Sequence, residues 1–408
     1  KQASIMRSRI GSTSGVAALA PLLVLAAACA HVPERSALPE IGVEEATVYG
    51  IPRARMWGDD TPPWAHDWLE WSKAEVKARY PGVYGKKHTY LAISGGGENG
   101  AFAAGLLIGW SERGDRPEFT SVTGVSAGAL VAPFAFLGPE YDDVLRIVSS
   151  ELEADDVYKE RRLLRALRTD AFSTTEPLQA LIAKYVDEEV MEKIAAEHRN
   201  GRALNIGTAN LDSMRPVIWR IGAIANSGHP RALELIRSIL LASASIPGAF
   251  PPVLIPVQYD GEHYDELHVD GGAASQVFLY PIGLDWEHVL EKLEVPGKPK
   301  VYIIRNARLD PMYEEVRNKI IPIAGRSIAS IIRTQGIGDL YRIFLETCRD
   351  GLDFNLGYIP VDFVETADEE FDTEYMHSLY EMARHRALNG YPWEKMPPEL
   401  NAAPIRCH

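Results

Sequence analysis

Short apolar segments rich in β-branched residues alternate with longer apolar segments of helical character along the middle of the chain. The short segments are typical of buried strands, and the longer ones are typical of helices that cover a sheet. This alternation predicts an α/β fold of three layers, in which a mostly parallel central sheet is flanked by helices. The predicted strands are 89–94, 119–126, 203–211, 216–225, 266–272 and 300–307.

Helical patterns connect these strands and dominate the C-terminal quarter of the chain. The predicted helices are 63–80, 100–113, 127–138, 141–154, 176–185, 190–199, 231–245, 320–349 and 373–388. The chain has 408 residues, of which 46% are hydrophobic and 24% charged, so it has ample apolar material for a large core. The predicted regions are a signal segment at 1–30, an N-terminal extension at 31–88, a catalytic domain at 89–307 and a mostly helical extension at 308–408 that packs on this domain.

The N-terminal segment has the layout of a secretory signal peptide. Arg7 and Arg9 precede the apolar segment Val16–Ala30, which is too short to span a membrane comfortably. Cys29 follows three alanines and resembles the lipidated cysteine of bacterial lipoproteins, although its flanking alanines also fit ordinary signal cleavage. We therefore expect an exported protein of the bacterial cell envelope, periplasmic or in the outer membrane, with lipidation of Cys29 as the favoured interpretation.

Charge and cysteine content exclude several classes of function. The formal net charge of −14 argues against a general nucleic-acid binder, which needs a basic face. Cys348 and Cys407 can form at most one disulfide, no cysteine and histidine spacing resembles a zinc site, and no metal or organic cofactor is predicted. The arginine-rich segment Arg161–Arg168 fits a solvated helix face better than a contact for anionic lipid head groups.

A glycine-rich turn follows the first predicted strand of the domain. Gly95, Gly97 and Gly100 match the G-x-G-x-x-G fingerprint of dinucleotide sites. Such sites need an acidic residue at the end of the second strand. Here that strand ends instead in G-x-S-x-G, at Gly124–Gly128, and the nearest acids precede the strand. A dinucleotide site is therefore not expected.

The G-x-S-x-G sequence between a strand and a helix is typical of a nucleophile elbow. Gly124 and Gly128 flank Ser126 because larger side chains would collide across the sharp turn. The helix that starts at Ala127 directs its N-terminal N–H groups toward the hydroxyl. Ser126 is therefore predicted to be a nucleophile.

An activated serine needs a general base, and Asp270 is the best candidate. It ends a predicted strand and is followed by Gly271 and Gly272, which allow the backbone to pass close to a cleft. A conventional triad with His377 or His385 keeps the order Ser–Asp–His and stays as an alternative.

In this order, the glycine-rich turn, the G-x-S-x-G elbow and the distant D-G-G sequence resemble the patatin-like phospholipase family. The segment Leu240–Pro252 also resembles the stretch of small residues and prolines in that family. The resemblance implies a Ser–Asp dyad with Ser126 as nucleophile and Asp270 as base, and an oxyanion hole in the glycine-rich turn. The glycines implied in the oxyanion hole are Gly95, Gly96 and Gly97.

One position departs from this family. Asn99 stands where the family usually has a basic residue, and an amide cannot neutralise a phosphate. We expect a serine acyl hydrolase that cleaves fatty acyl esters of phospholipids or related lipids through an acyl-enzyme, at a membrane surface. Strong dependence on a phospholipid head group is not expected. A non-catalytic envelope lipoprotein that uses the fold for interaction is the second alternative.

Overall fold

A nine-stranded mixed sheet forms the centre of the fold. The structure is a computed structural model. It describes residues 35–150, 154–157, 159–160, 173–280, 285–313, 315–367 and 371–398. In chain order, the described strands are β1 (Arg55–Trp57), β2 (Thr89–Ile93), β3 (Ser121–Val125), β4 (Lys159–Glu160), β5 (Ser173–Thr174), β6 (Ala203–Asn210), β7 (Arg215–Arg220), β8 (Val253–Tyr259), β9 (Glu262–Asp270), β10 (Lys300–Arg305) and β11 (Asp353–Tyr358).

The sheet has the order β1-β7-β6-β3-β2-β10-β11, with β9 pairing with β6 and β8 with β9. The neighbouring strands β6, β3, β2, β10 and β11 are parallel, and the remaining pairs in this sheet are antiparallel. The short strands β4 and β5 form a separate antiparallel pair. Ligands of open α/β sheets bind at the carboxyl ends of the parallel strands, so this edge is where a site is expected.

Helices cover the sheet on both faces. In chain order, the described α-helices are α1 (Asp67–Glu70), α2 (Lys73–Arg79), α3 (Gly100–Arg113), α4 (Ala127–Leu137), α5 (Asp142–Ser150), α6 (Ala154–Val157), α7 (Glu176–Tyr185), α8 (Glu188–Arg199), α9 (Ile221–Ala225), α10 (Ala232–Ser243), α11 (Trp286–Lys292), α12 (Ile320–Arg349) and α13 (Thr373–Leu388). Short 3₁₀ helices lie at Glu40–Gly42, Pro63–His66, Gly97–Asn99, Pro139–Tyr141 and Gly271–Ala273.

Alternate residues of β2 show why the sheet needs both helical layers. Leu91 and Ile93 belong to the apolar core that includes α3 and α10. Tyr90 and Ala92 point to the opposite face, into a second core that includes α12. All four residues are buried, so β2 reads as a continuous apolar run, as expected for a parallel strand covered on both faces. The predicted three-layer α/β fold with a mostly parallel central sheet is confirmed.

The prediction of one continuous helix at 63–80 is wrong. A 3₁₀ turn and α1 are followed by a break at Trp71, and α2 begins after Ser72. Ser72 accepts a hydrogen bond from the Glu75 N–H, and the Glu75 carboxylate accepts one from the Ser72 N–H. This capping box satisfies backbone groups that a new helix start leaves free, and it makes the break favourable.

The sheet crosses both predicted boundaries of the domain at 89–307. Strand β1 lies in the N-terminal extension and pairs with β7. Strand β11 lies in the C-terminal extension and adds a parallel strand beside β10. Both extensions therefore contribute strands to the same sheet.

Several predictions fall on residues outside the described ranges. The signal segment with Cys29 and the arginine-rich segment Arg161–Arg168 are among them, and both stay predictions. Cys348 lies within the described ranges and is disulfide-bonded. The other two cysteines of the chain, Cys29 and Cys407, lie outside the described ranges. Within the described ranges, no helix has the length and apolar character required to cross a bilayer.

Candidate active site

Ser126 occupies a sharp turn between β3 and α4. Its φ of 55° and ψ of −126° lie in a region that L-residues rarely adopt, and this strain costs about 1–3 kcal/mol. A Cβ added at Gly124 would lie 2.4 Å from the carbonyl oxygen of Gly128. A Cβ added at Gly128 would lie 2.4 Å from the carbonyl oxygen of Ile93. Both flanking glycines are therefore required by close backbone contacts, as the elbow motif predicts.

Replacing Gly128 with alanine is expected to lower the free energy of unfolding by about 3 kcal/mol, because the new methyl group overlaps a backbone that cannot move aside. Chemical denaturation monitored by circular dichroism measures this difference. Gly325→Ala is the matched control, since an added Cβ in that part of α12 meets none of the described residues. The control should raise stability by about 0.5–1 kcal/mol. Equal destabilisation by both substitutions would contradict this account of the elbow.

The segment Leu240–Pro252 holds the backbones of both predicted catalytic residues. The N–H of Ser126 donates to the Ser243 hydroxyl at 3.0 Å, and this hydroxyl donates to the carbonyl of Gly207 at 2.7 Å. The N–H of Asp270 donates to the carbonyl of Ser245 at 2.9 Å. These contacts give the segment a structural role beside the site.

Asp270 ends β9, where it pairs with Thr208 of β6, and its side chain is buried. Its Oδ1 accepts a hydrogen bond from the Gly272 N–H at 2.7 Å. Burial raises the pKa of the Asp270 carboxyl to about 6, and the nearby Ser126 hydroxyl and the Gly272 N–H partly oppose this increase. Ser126 and Asp270 therefore lie side by side, although their residue numbers are far apart.

The second carboxylate oxygen of Asp270 is available to the serine. Oδ2 is buried, and no group of the described residues forms a hydrogen bond of normal geometry with it. Contacts between nucleophile and base are often long in ligand-free enzymes and tighten when the substrate binds. The Ser126 hydroxyl lies close enough to lower the pKa of this carboxyl, and Oδ2 is the oxygen that the Gly272 N–H leaves unoccupied for the serine proton.

Gly271 and Gly272 are needed for close packing behind the aspartate. A Cβ added at Gly271 would lie 2.5 Å from the carbonyl oxygen of Gly207. A Cβ added at Gly272 would lie 2.9 Å from the Oδ1 atom of Asp270. The two glycines of the D-G-G sequence thus leave room for the Asp270 carboxylate to accept the hydrogen bond from the Gly272 N–H.

Histidines do not join this pair. Within the described part of the chain, no histidine forms a hydrogen bond with Ser126 or Asp270. The buried ring of His268 instead contacts the Thr208 hydroxyl at 2.9 Å and the Glu266 carboxylate at 3.0 Å. The arrangement favours a dyad.

The two late histidines considered for a triad lie on α13. The ring of His377 lies 6.5 Å from the ring of Tyr380, and His385 contacts the side chain of Asn389. Neither position supplies the imidazole that a triad requires next to the serine.

The glycine-rich turn presents two free N–H groups. Gly95 is excluded as a donor because its N–H donates to the carbonyl of Gln276 at 3.1 Å. The N–H groups of Gly96 and Gly97 have no hydrogen-bond acceptor among the described residues. Gly97 has a φ of 57°, and a Cβ added at Gly96 would lie 2.3 Å from the carbonyl oxygen of Asn306. Of the three glycines predicted to donate N–H groups to an oxyanion, only Gly96 and Gly97 therefore remain as candidates.

Gln276 links the glycine-rich turn to the aspartate, and no sequence motif indicated it. Its carbonyl accepts the Gly95 N–H, and its side-chain amide donates to the carbonyl of Gly272 at 2.8 Å. Its own N–H donates to the Asp339 carboxylate of α12 at 2.7 Å. Gln276 thus fixes the relative positions of the two loops that carry the oxyanion donors and the base.

Asn99 is engaged with the C-terminal extension. Its amide oxygen accepts a hydrogen bond from the Tyr375 hydroxyl at 2.6 Å. The neighbouring Glu98 carboxylate accepts one from the N–H of Phe371 at 2.6 Å. Gly100 follows and begins α3. The position that is usually basic therefore holds the start of α13 against the glycine-rich turn.

An apolar pocket opens next to Ser126. Within the described part of the chain, Glu98 is the only charged residue that lines it, and Gly97 and Ser126 are also among the lining residues. Pockets lined mainly by apolar side chains bind apolar ligands or parts of them. The apolar lining residues come from several helices and include Leu130, Val131, Phe134, Leu178, Leu181, Ile182, Leu240, Phe250, Phe371 and Met376.

Comparison with known proteins agrees with this geometry. The family model described as patatin-like phospholipase matches residues 91–281. None of the curated proteins compared with the chain matches it. Among solved structures, VipD from Legionella pneumophila aligns with a TM-score of 0.36 and 12% identity, over 74% of this chain and 67% of that chain, a similarity too low to carry an argument. The elbow serine, the glycine-rich turn and the D-G-G aspartate all lie inside the matched range, and the chain therefore contains a patatin-like phospholipase domain at residues 91–281.

Proposed function

We propose that this protein is a lipid acyl hydrolase in which Ser126 and Asp270 form a catalytic dyad. The observation that carries the proposal is a strained serine that lies beside a buried carboxylate and lines an apolar pocket. The pocket supplies a place for a fatty acyl chain, and the turn at Gly96 and Gly97 supplies N–H donors. The substrate class is fatty acyl esters of phospholipids or related lipids.

In the first half of the reaction, the Ser126 Oγ attacks the ester carbonyl carbon while its proton passes to Oδ2 of Asp270. The carbonyl oxygen becomes negative, and the N–H groups of Gly96 and Gly97 stabilise it. The tetrahedral intermediate then collapses, and Asp270 returns the proton to the departing alcohol. The products of this half are a free alcohol and an acyl group bound to Ser126.

In the second half, a water molecule replaces the alcohol. Asp270 accepts a proton from this water, whose oxygen attacks the acyl carbon. Collapse of the second intermediate releases the fatty acid, and the proton returns from Asp270 to the Ser126 oxygen. One ester bond and one water are consumed, and the enzyme is regenerated.

The apolar pocket predicts a preference for longer acyl chains. Each buried methylene contributes about 0.8 kcal/mol, which corresponds to about a fourfold increase in kcat/KM per methylene for chains that fit. Hydrolysis of p-nitrophenyl esters from acetate to dodecanoate measures this slope and tests the proposed activity directly. If kcat/KM does not change with chain length, the pocket does not bind the acyl chain.

Replacing Leu181 with tryptophan should shorten this preference, because Leu181 lines the pocket from α7. We expect a loss of about tenfold or more for dodecanoate and little change for acetate, since two buried methylenes already account for a factor of this size. Gln179→Trp, at an exposed position of the same helix, is the matched control. Equal losses for short and long esters in the Leu181 variant would point to damage to the fold instead.

A further inference from the structure

Large exposed apolar side chains are concentrated in and just before the first half of α12. Tyr313 is 95% exposed, Ile331 66% and Ile328 56%, so more than half of each of these residues is open to solvent. We define the docking surface as the six exposed apolar side chains of this segment. They are Met312, Tyr313, Ile323, Ile328, Ile331 and Ile332.

Basic residues accompany these apolar side chains. From Met312 to Arg333 the sequence has four basic residues, Arg317, Lys319, Arg326 and Arg333, and two acidic residues, Glu314 and Glu315, so this stretch has a net positive charge although the whole chain has a net charge of −14. Arg326 donates a hydrogen bond to the carbonyl of Met312, and Arg333 donates one to the carbonyl of Leu309 at 2.5 Å. These contacts hold the preceding loop beside the helix, so apolar and basic groups form one surface.

The docking surface extends from the edge of the sheet that carries the active site. A Cβ added at Gly336 of α12 would lie 2.4 Å from Nη2 of Arg305, the last residue of β10. Asp339, one turn further, accepts the Gln276 N–H. The helix therefore passes the carboxyl ends of the parallel strands near residues 336–339.

The two halves of α12 have different surroundings. The second half is buried against β10 and β11 through Leu340, Ile343 and Phe344, and the chain then returns in β11. The first half, residues 320–335, precedes this point in the same helix and extends beyond the edge of the sheet, over about 24 Å at 1.5 Å per residue. This first half of α12 therefore lies beyond the carboxyl ends of the parallel strands, the edge at which Ser126 and Asp270 are also found.

We propose that the docking surface binds the head-group region of an anionic lipid bilayer and brings the active-site edge to the membrane. Exposed apolar side chains accompanied by an excess of cations over acids are typical of helices that lie in a membrane interface. A second copy of the chain fits less well, since a symmetric contact would place the four basic residues against their own copies. This proposal extends the proposed function by naming the surface that meets the lipid.

The test is sedimentation of the full chain with vesicles of phosphatidylcholine, alone or mixed with phosphatidylglycerol. The triple variant Ile328→Ser, Ile331→Ser and Ile332→Ser should bind both vesicle types at least about tenfold more weakly, because less apolar area enters the interface. The double variant Arg317→Gln and Lys319→Gln should lose affinity mainly for the mixed vesicles. Leu345→Ser is the matched control, because Leu345 is 56% exposed on the second half of the same helix.

Hydrolysis of p-nitrophenyl butyrate, a soluble ester, separates this proposal from the proposed function. The triple variant should hydrolyse it like the wild type, because none of its three positions lines the pocket. Vesicle binding by a protein that is inactive on every ester would support the docking surface and overturn the proposed function. Wild-type affinity in the triple variant, or no vesicle binding by the wild type, would overturn the docking surface. A dimeric wild type that becomes monomeric in the triple variant without binding vesicles would assign the surface to a second copy.

Discussion

Replacing Ser126 with alanine is expected to reduce kcat for p-nitrophenyl butyrate by about 10⁴-fold or more, because no other group can form the acyl-enzyme. The fold should be preserved, since the Ser126 side chain accepts no helix-capping bond and its N–H, which bonds Ser243, remains in the alanine variant. Steady-state hydrolysis with a circular dichroism spectrum of each protein measures both expectations.

A fluorophosphonate probe provides a second readout of the same substitution. It should label the wild type on Ser126 and leave the alanine variant unlabelled, because it reacts with activated serines. Ser36→Ala, at an exposed position, is the control and should retain both activity and labelling. Substantial turnover by the Ser126 variant would remove the serine from the mechanism and leave the pocket as a binding site only.

Ser126 and Asp270 could be predicted from the sequence because the backbone near each of them requires glycine at adjacent or nearby positions. Gly124 and Gly128 are dictated by backbone contacts within the elbow, and the glycines after Asp270 by contacts beside that residue. Such short-range requirements leave a recognisable motif. The parallel sheet followed from the alternation of apolar segments, and it is this sheet that brings distant strand ends to one edge.

Residues that support the site through contacts with distant parts of the chain do not belong to a recognisable sequence motif. Gln276 contacts two loops and a distant helix, and Ser243 supports the elbow from α10. These contacts join residues that are far apart in the sequence, so one amino-acid sequence does not indicate them. The same is true of Gly95, whose N–H is used by Gln276, although its position in the glycine run made it look like a donor.

The C-terminal extension, whose role the sequence did not indicate, holds the glycine-rich turn from two sides. Tyr375 binds Asn99 at one side, and Asp339 binds Gln276 at the other. Burial raises the pKa of the Tyr375 hydroxyl to about 12, so it stays a hydrogen-bond donor at physiological pH. The family match ends at residue 281, so Tyr375 and Asp339 belong to a part of the chain that the family model does not cover.

The activity of the wild type is expected to fall tenfold per pH unit below a pH of about 6, because Asp270 must be ionised to accept the serine proton. Its pKa is raised to about 6 by burial, and kcat/KM reports this value for the free enzyme. Asp270→Asn should lower kcat/KM by about 10³-fold or more and abolish the acidic limb of the profile. Measurement of kcat/KM between pH 4 and pH 9 for both proteins checks these two effects together. An acidic limb that persists in the asparagine variant would assign it to another group.

The same carboxyl should affect stability in the opposite direction. Its pKa of about 6 in the folded state exceeds the ordinary value of 3.8, so the folded protein binds the proton more tightly than the unfolded chain between these two values. The contribution of Asp270 to the free energy of unfolding is therefore greatest below pH 3.8 and declines as the pH rises through 6, by about 3 kcal/mol in total. Asp270→Asn removes this dependence, so its stability relative to the wild type should be higher at pH 8 than at pH 4. Urea denaturation of both proteins at the two pH values measures the difference. An unchanged relative stability would show that the carboxylate is well solvated, and that its pKa is not what sets the acidic limb.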